Sequence, residues 1–229
     1  MNELPFTYQA FLSGAEISLE RICADLVDQH RDKIQIKKEK LAARNMFRIV
    51  SAVISLSQKK GFQGMSLRDL SEETGMSMGA LYNYFGSKEE LFEMIYSQGR
   101  VFVFEVLRSH ASDDNPDVRL REAICAHLYL SEALSRVFSF FFMEARNLSL
   151  PNQKNVINLE QMTESFFEDI LQEGKQKGSF SIESPEMIAA AIKALLQNWY
   201  LKKYRFSRRK LTVENYARFV IGFVSSNLR

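Results

Sequence analysis

Residues 65–91, MSLRDLSEETGMSMGALYNYFGSKEEL, decide how the chain is read. Ser66 precedes Leu67 and lies three residues before Asp69, the spacing at which a hydroxyl and a carboxylate satisfy the free amides of a helix start. A short helix with Leu67 and Leu70 inward is expected to end near Glu73. Thr74-Gly75-Met76-Ser77 then turns the chain, because glycine accepts the left-handed backbone of a tight inter-helix turn. Ser77 caps a second short helix, expected from Met78 to Phe85. Its Leu81 and Phe85 face inward with Met76, which leaves Met78, Gly79, Tyr82, Asn83 and Tyr84 outward. Gly86-Ser87 ends that helix, and Ser87 with Glu90 starts a third at Lys88.

Two aromatics and an amide on one outer face are unusual for a merely solvated helix. In a helix-turn-helix the second helix enters the major groove of DNA, where asparagine bonds base edges and tyrosine hydroxyls reach phosphates. On this reading base contacts fall to Arg68, Met78, Gly79, Ala80 and Asn83. Phosphate contacts fall to Ser66, Ser77, Tyr82, Tyr84 and Lys88, the last beside the free amides of a helix start. A helical hairpin packed in an ordinary all-helical domain would give the same local pattern.

The ordered string Gly61-Phe62, Ser66-Leu67-Arg68-Asp69-Leu70, Thr74-Gly75-Met76-Ser77, Gly79-Ala80-Leu81-Tyr82-Asn83-Tyr84-Phe85 and Ser87-Lys88-Glu89-Glu90-Leu91 resembles the DNA-binding domain of the TetR family of bacterial transcription regulators. The resemblance runs from near Ala43 to near Leu91, and Ala80 departs from it where many members carry threonine. It implies an all-α fold, a three-helix head with helix-turn-helix plus a larger helical ligand-binding and dimerisation domain. It also implies a homodimer on double-stranded DNA with a near-palindromic operator, a long helix from Lys88 that transmits ligand state, and final helices that pair with a second subunit. The boundaries expected are 1–40 for a partly helical N-terminal extension, 41–90 for the head and 91–229 for the effector-binding and dimerisation domain.

A chain of 229 residues with 46% hydrophobic residues can bury a sizeable core. Its net charge of +2 hides an asymmetry that the total does not show. From Arg31 to Arg68 ten basic residues face two acidic ones, a balance of +8, whereas Val101 to Tyr200 carries −5. That is the pattern of a nucleic-acid-binding part joined to another module. Cys23 and Cys125 stand apart, as do His30, His110 and His127, so no metal site is expected and a reducing cytoplasm fits. No apolar run reaches the length of a membrane span, so no membrane partner is expected. With no paired nucleophile and base and no glycine-rich phosphate loop, neither an enzyme nor a cofactor is expected.

In chain order, an irregular lead bracketed by Pro5 and Gly14 precedes a rough amphipathic helix from about Glu16 to Gln29. The tract Arg31 to Lys40 is either a solvated face or an arm lying near phosphates. Helices are expected over Leu41–Lys60 with Gly61 closing it, over Lys88 to about Ser109, Pro116 to about Leu128, Ser131 to about Asn147, Gln153–Lys177 after a break at Leu150-Pro151-Asn152, and Pro185 to about Phe206. Thr212 caps the last helix, striped by Tyr216, Phe219, Val220 and Phe223. Phe138, Phe141, Phe142, Met143, Met162, Phe166, Trp199, Tyr200 and Tyr204 either form plain core or line an apolar pocket for a small-molecule effector. Trp199 and Tyr204, with the cations from Lys202 to Lys210, look somewhat like regulators that respond to acyl-CoA thioesters. A solvated helix end is the alternative for that tract.

Overall fold

A computed structural model describes residues 3–14, 16–144 and 150–228, with the side chains of 150–160 left aside. Among the described residues every regular element is helical: α1 Tyr8–Gly14, α2 Leu19–Gln29, α3 Glu39–Gly64, α4 Leu67–Thr74, α5 Met78–Tyr82, α6 Lys88–His110, α7 Pro116–Ala133, α8 Ser135–Glu144, α9 Leu150–Gln176, α10 Pro185–Leu201, α11 Lys203–Arg208 and α12 Val213–Ser225. None of these is long and apolar enough to cross a membrane. The chain forms two compact units, one of residues 17–102 and 136–157, the other of 1–16, 103–135 and 158–229.

In the first unit α2 packs along α3, burying Ile22, Cys23, Leu26 and Val27. This helix starts at Leu19 rather than Glu16 because the Ser18 hydroxyl accepts the Arg21 amide and fixes the start. The face of α3 that carries Met46, Ile49, Val50 and Val53 is buried. Near its end Gly61 takes a positive φ of 73°, so the regular helix closes there, as the sequence suggests, and a last turn runs on to Gly64. Phe62 tucks beneath, its ring 5.2 Å from Phe92 and 6.3 Å from Phe140 of α8. Phe140 and Phe141 pack on Phe92, and Phe141 on Tyr96, as an aromatic cluster in this unit's core.

In the second unit α7 is the central helix, buried along nearly its whole length and contacted by α1, α10 and α12. Asn115 caps it and Pro116 opens it. The lead before Gly14, expected to be irregular, forms α1 instead, because Phe11 inserts between His110 and Tyr129 with ring centroids at 4.8 and 5.7 Å. The expected break at Leu150-Pro151-Asn152 is the first turn of α9, a position where proline's missing amide costs no helical hydrogen bond. The expected end of the preceding helix at Asn147 lies outside the described residues. A single helix expected to reach Phe206 is broken at Lys202, and α11 folds back so that Trp199, Phe206 and Tyr216 stack at 4.8 to 5.1 Å. Both cysteines are buried thiols, and burial pushes each up to about 12.

Candidate nucleic-acid interface

The turn between α4 and α5 is built as its residues dictate. Ser66 and Asp69 exchange side-chain and backbone bonds in a full capping box, and the Ser66 hydroxyl also donates to Asp69 Oδ2 at 2.8 Å. Lys60 reaches the other carboxylate oxygen at 2.7 Å. That ammonium, with the Ser66 donors, holds the Asp69 carboxyl well below the usual carboxylate range. Gly75 closes α4 in the left-handed region at φ 64°. The Arg48 guanidinium of α3 donates to the Thr74 carbonyl, and the Thr74 hydroxyl donates to Leu70 O at 2.6 Å and accepts the Met76 amide at 3.3 Å. These bonds tie the turn to α3 and α4, which fixes the angle at which α5 leaves.

Ser77 caps α5 by accepting the Ala80 amide, and Leu81 anchors the helix inward. Gly79 is exposed, Met78, Ala80 and Asn83 are partly so, and Tyr82 is 49% exposed. A Cβ at Gly79 would meet nothing within 4 Å, so the helix start is an open surface. Arg68 is exposed on α4 and enters no ion pair among the described residues. Lys37, Lys38 and Arg44 are likewise exposed and unpaired among them, whereas Lys33 and Lys60 are neutralised by Glu90 and Asp69.

Two expected contact residues point elsewhere. Tyr84, expected outward, is only 1% exposed. Because α5 stops at Tyr82, the chain turns at Asn83 and carries the next ring inward, where its hydroxyl accepts from Asn45 Nδ2 at 2.9 Å. Burial raises the Tyr84 pKa, with the Asn45 bond opposing. Lys88, expected to hold a phosphate, donates its ammonium hydrogens to the carbonyls of Phe62, Gln63 and Met65, each at 3.1 Å. It thereby serves the carbonyl end of α3, where a cation is favourable, and sits 5.0 Å from the Phe62 ring centroid. Ser66 is exposed, but its hydroxyl hydrogen is already given to Asp69.

The basic tract before α3 is held beside this surface rather than trailing from it. Gln35 N donates to Asn83 O at 2.9 Å, Lys33 pairs with Glu90 at 2.8 Å, Ile34 is buried, and Arg31 donates to the carbonyls of Ile36 and Lys37. The signal for this in the sequence is Ile34-Gln35-Ile36, an apolar interruption of a cationic run. The Gln35–Asn83 bond brings Lys37 and Lys38, two and three residues on, toward the C-terminal end of α5.

The residues expected to line an effector pocket divide between the two units. Phe138, Phe141, Phe142 and Met143 belong to the unit carrying α5; Phe141 is core, Phe138 and Phe142 are half-buried and Met143 is exposed. Met143 lines a cavity of about 320 Å³ with Ser57, Gln58, Gly61, Ser139, Phe140 and Glu144. In the other unit Trp199 and Tyr200 are buried, Phe166 is half-buried against Phe167, and Met162 and Tyr204 are exposed. The Trp199 indole and the Lys203 ammonium both donate to the Glu132 carboxylate, each at 2.9 Å. That unit also buries Lys193 Nζ 3.3 Å from His127 Nε2, and burial first, then Lys193, lowers the imidazole pKa well below 6.5.

Residues 49–95 match the family model of bacterial regulatory proteins of the tetR family, and residues 113–221 match the tetracyclin repressor-like C-terminal domain. The uncharacterised HTH-type transcriptional regulator YfiR of Bacillus subtilis (strain 168) is 34% identical over 71 residues, which cover 31% of this chain and 29% of that protein. The matched segment spans about a third of the length of the curated relatives. The crystal structure of the TetR family transcriptional regulator PfmR from Thermus thermophilus is 25% identical with a TM-score of 0.67, covering 80% of this chain and 99% of that one. FadR from Bacillus subtilis, a transcriptional regulator crystallised with stearoyl-CoA, shares the fold at 15% identity with a TM-score of 0.65, over 80% of this chain and 98% of its own.

Proposed function

The chain belongs to the TetR family of bacterial regulatory proteins, and from that premise we propose that it is a DNA-binding transcriptional regulator acting in the cytoplasm as a homodimeric repressor. The observation that carries the reading is the open face of α5 and α4, where Arg68, Met78, Gly79, Tyr82 and Asn83 stand clear of the packed turn behind them. Base-edge contacts are assigned to Arg68 and Asn83, and phosphate contacts to Tyr82, Ser77, Lys37 and Lys38. Ala80 contributes closeness of approach rather than a bond. A second copy is supported by Phe219 and Phe223 of α12, 58% and 51% exposed and stacked on one another. Two heads related by a twofold axis read half-sites about one helical turn, or a multiple, apart, so the operator is near-palindromic.

Release from the operator is assigned to a small apolar or acyl-type ligand, because FadR, which shares the fold, was crystallised with stearoyl-CoA and because aromatic and methionine side chains are abundant in this chain. A regulator answering to a protein partner is the second reading, favoured by the Trp199 ring stacking on Phe206 and Tyr216 at 5.0 and 5.1 Å as core residues do. Selection of bound sequences from a random duplex pool, followed by titration of wild type, Arg68→Ala and Asn83→Ala on the winner, tests the DNA reading. Each variant should lose roughly 1 to 3 kcal/mol of discrimination at one base position. Equal affinity for all duplexes, or unchanged preference in both variants, refutes it. Mass spectrometry of compounds released from the purified protein, each added to the DNA-shift assay, separates the two modes of control.

A further inference from the structure

The unit that carries the helix-turn-helix contains a cavity that the DNA reading does not use. Of about 320 Å³, it lies between the C-terminal half of α3, which supplies Ser57, Gln58 and Gly61, and α8, which supplies Ser139, Phe140, Met143 and Glu144. That volume is near the lower end for small-molecule sites. Two polar atoms in its wall are buried with no hydrogen-bond partner among the described residues. Glu144 is 4% exposed and its Oε2 has no hydrogen-bond partner, and the buried Ser57 Oγ has none either. No Lys or Arg is among the described residues that line the cavity; Arg136 meets the lining at Gln58, Nη2 to Oε1 3.4 Å, and sits on α8 about 12 Å along the axis from Glu144.

A buried carboxylate with one oxygen unbonded decides the charge of what the cavity takes. An apolar guest would strip the remaining solvation from Glu144 and give nothing back, a neutral hydroxyl would return one hydrogen bond without a compensating charge, and an anion would add repulsion. One carboxylate is too few oxygens for a divalent metal. A primary ammonium supplies three N–H donors, matched by the Glu144 carboxylate, the Ser57 hydroxyl and the Gln58 amide oxygen. The rest of the lining asks for an apolar body: Phe140 is a fixed wall, packed on Phe62 and Phe92, and Met143 is a flexible exposed thioether that can close over the guest.

We propose that the cavity between α3 and α8 is a binding site for a small hydrophobic primary amine in its ammonium form, held by Glu144 and Ser57 and covered by Met143. The site is separate from the acyl-type effector reading and does not depend on DNA binding. It is tested on the full chain by calorimetric titration with phenethylammonium and, as its uncharged counterpart, phenethyl alcohol. Phenethylammonium should bind wild type at least about tenfold more tightly than the alcohol, and Glu144→Gln should erase that difference while sparing the alcohol. Ser139→Phe, which fills the cavity, should abolish binding of both, with thermal melts of each variant reporting that it is folded. Equal affinity of wild type for amine and alcohol overturns the proposal without reference to any variant. Undiminished amine binding in Glu144→Gln or in Ser139→Phe overturns it as well.

Discussion

Replacing Lys88 by methionine keeps an unbranched apolar stem and deletes only the ammonium, so it asks whether that charge serves the fold or the DNA. The ammonium donates to three carbonyls at the end of α3 and lies over the Phe62 ring, with two of the three bonds partly buried and the Gln63 bond exposed. A charge-assisted bond in a partly buried site contributes about 1.5 kcal/mol, an exposed one little, and a cation at a helix end or over a ring about 0.5 kcal/mol more. The variant should therefore lose about 3.5 kcal/mol of unfolding free energy, read from urea denaturation with the slope unchanged. If Lys88 held a phosphate instead, stability would be nearly untouched and the slope of log K against log salt would flatten by about 0.9. Stability within about 0.5 kcal/mol of wild type together with that flattened slope would refute the assignment of Lys88 to the end of α3.

The two neighbouring tyrosines should separate in the same pair of assays. Tyr84→Phe loses the bond from Asn45 and should cost about 1 kcal/mol of stability with operator affinity unchanged, whereas Tyr82→Phe should leave stability alone and weaken the operator complex by up to about tenfold in a fluorescence anisotropy titration. Phe219→Asp with Phe223→Asp should weaken self-association by more than about tenfold, seen as monomer by sedimentation equilibrium at concentrations where wild type is dimeric. Stability should also depend on pH through His127. The folded imidazole, its pKa lowered by burial and by Lys193, stays neutral well below 6.5, while the unfolded chain takes up a proton near 6.5. The contribution is therefore complete above about pH 7 and lost as pH falls below 6.5. His30, lowered by burial and Lys33, acts in the same direction, so urea midpoints between about pH 5 and 8 should flatten in part, not wholly, in His127→Gln.

The residues legible in the sequence are those whose partners lie a few positions away. Ser66 with Asp69, Ser77 with the Ala80 amide and the left-handed Gly75 are local arrangements present where their spacing puts them, and of the Ser87–Glu90 pair the Ser87 hydroxyl accepts the Glu90 amide while the Glu90 carboxylate accepts from Gly86 N instead of closing the box on Ser87. Tyr84 and Lys88 escape a sequence reading for the opposite reason. Tyr82 and Tyr84 are chemically identical, and only the early end of α5, set by a turn at Asn83 that Gln35 clamps from 48 positions upstream, sends one out and the other in. Lys88 answers to carbonyls 23 to 26 residues earlier, a partnership no spacing rule reports. The same limit governs α1, whose seven residues depend on Tyr129 and His110, and the break at Lys202, which contains neither glycine nor proline.

Glu144 carries that limit one step further. A carboxylate that ends an apolar run such as Phe140-Phe141-Phe142-Met143 reads as the point where the helix returns to solvent, since an ionised group is rarely buried without a partner. The fold instead closes α3 over it, leaving Oε2 unbonded in the wall of a cavity. Interior atoms of this kind are uncommon because each destabilises the molecule that keeps it, and among the described residues no bond to that oxygen offsets this one. The guest proposed for that cavity would bring the missing donor to this oxygen, a compensation that the amino-acid pattern cannot display.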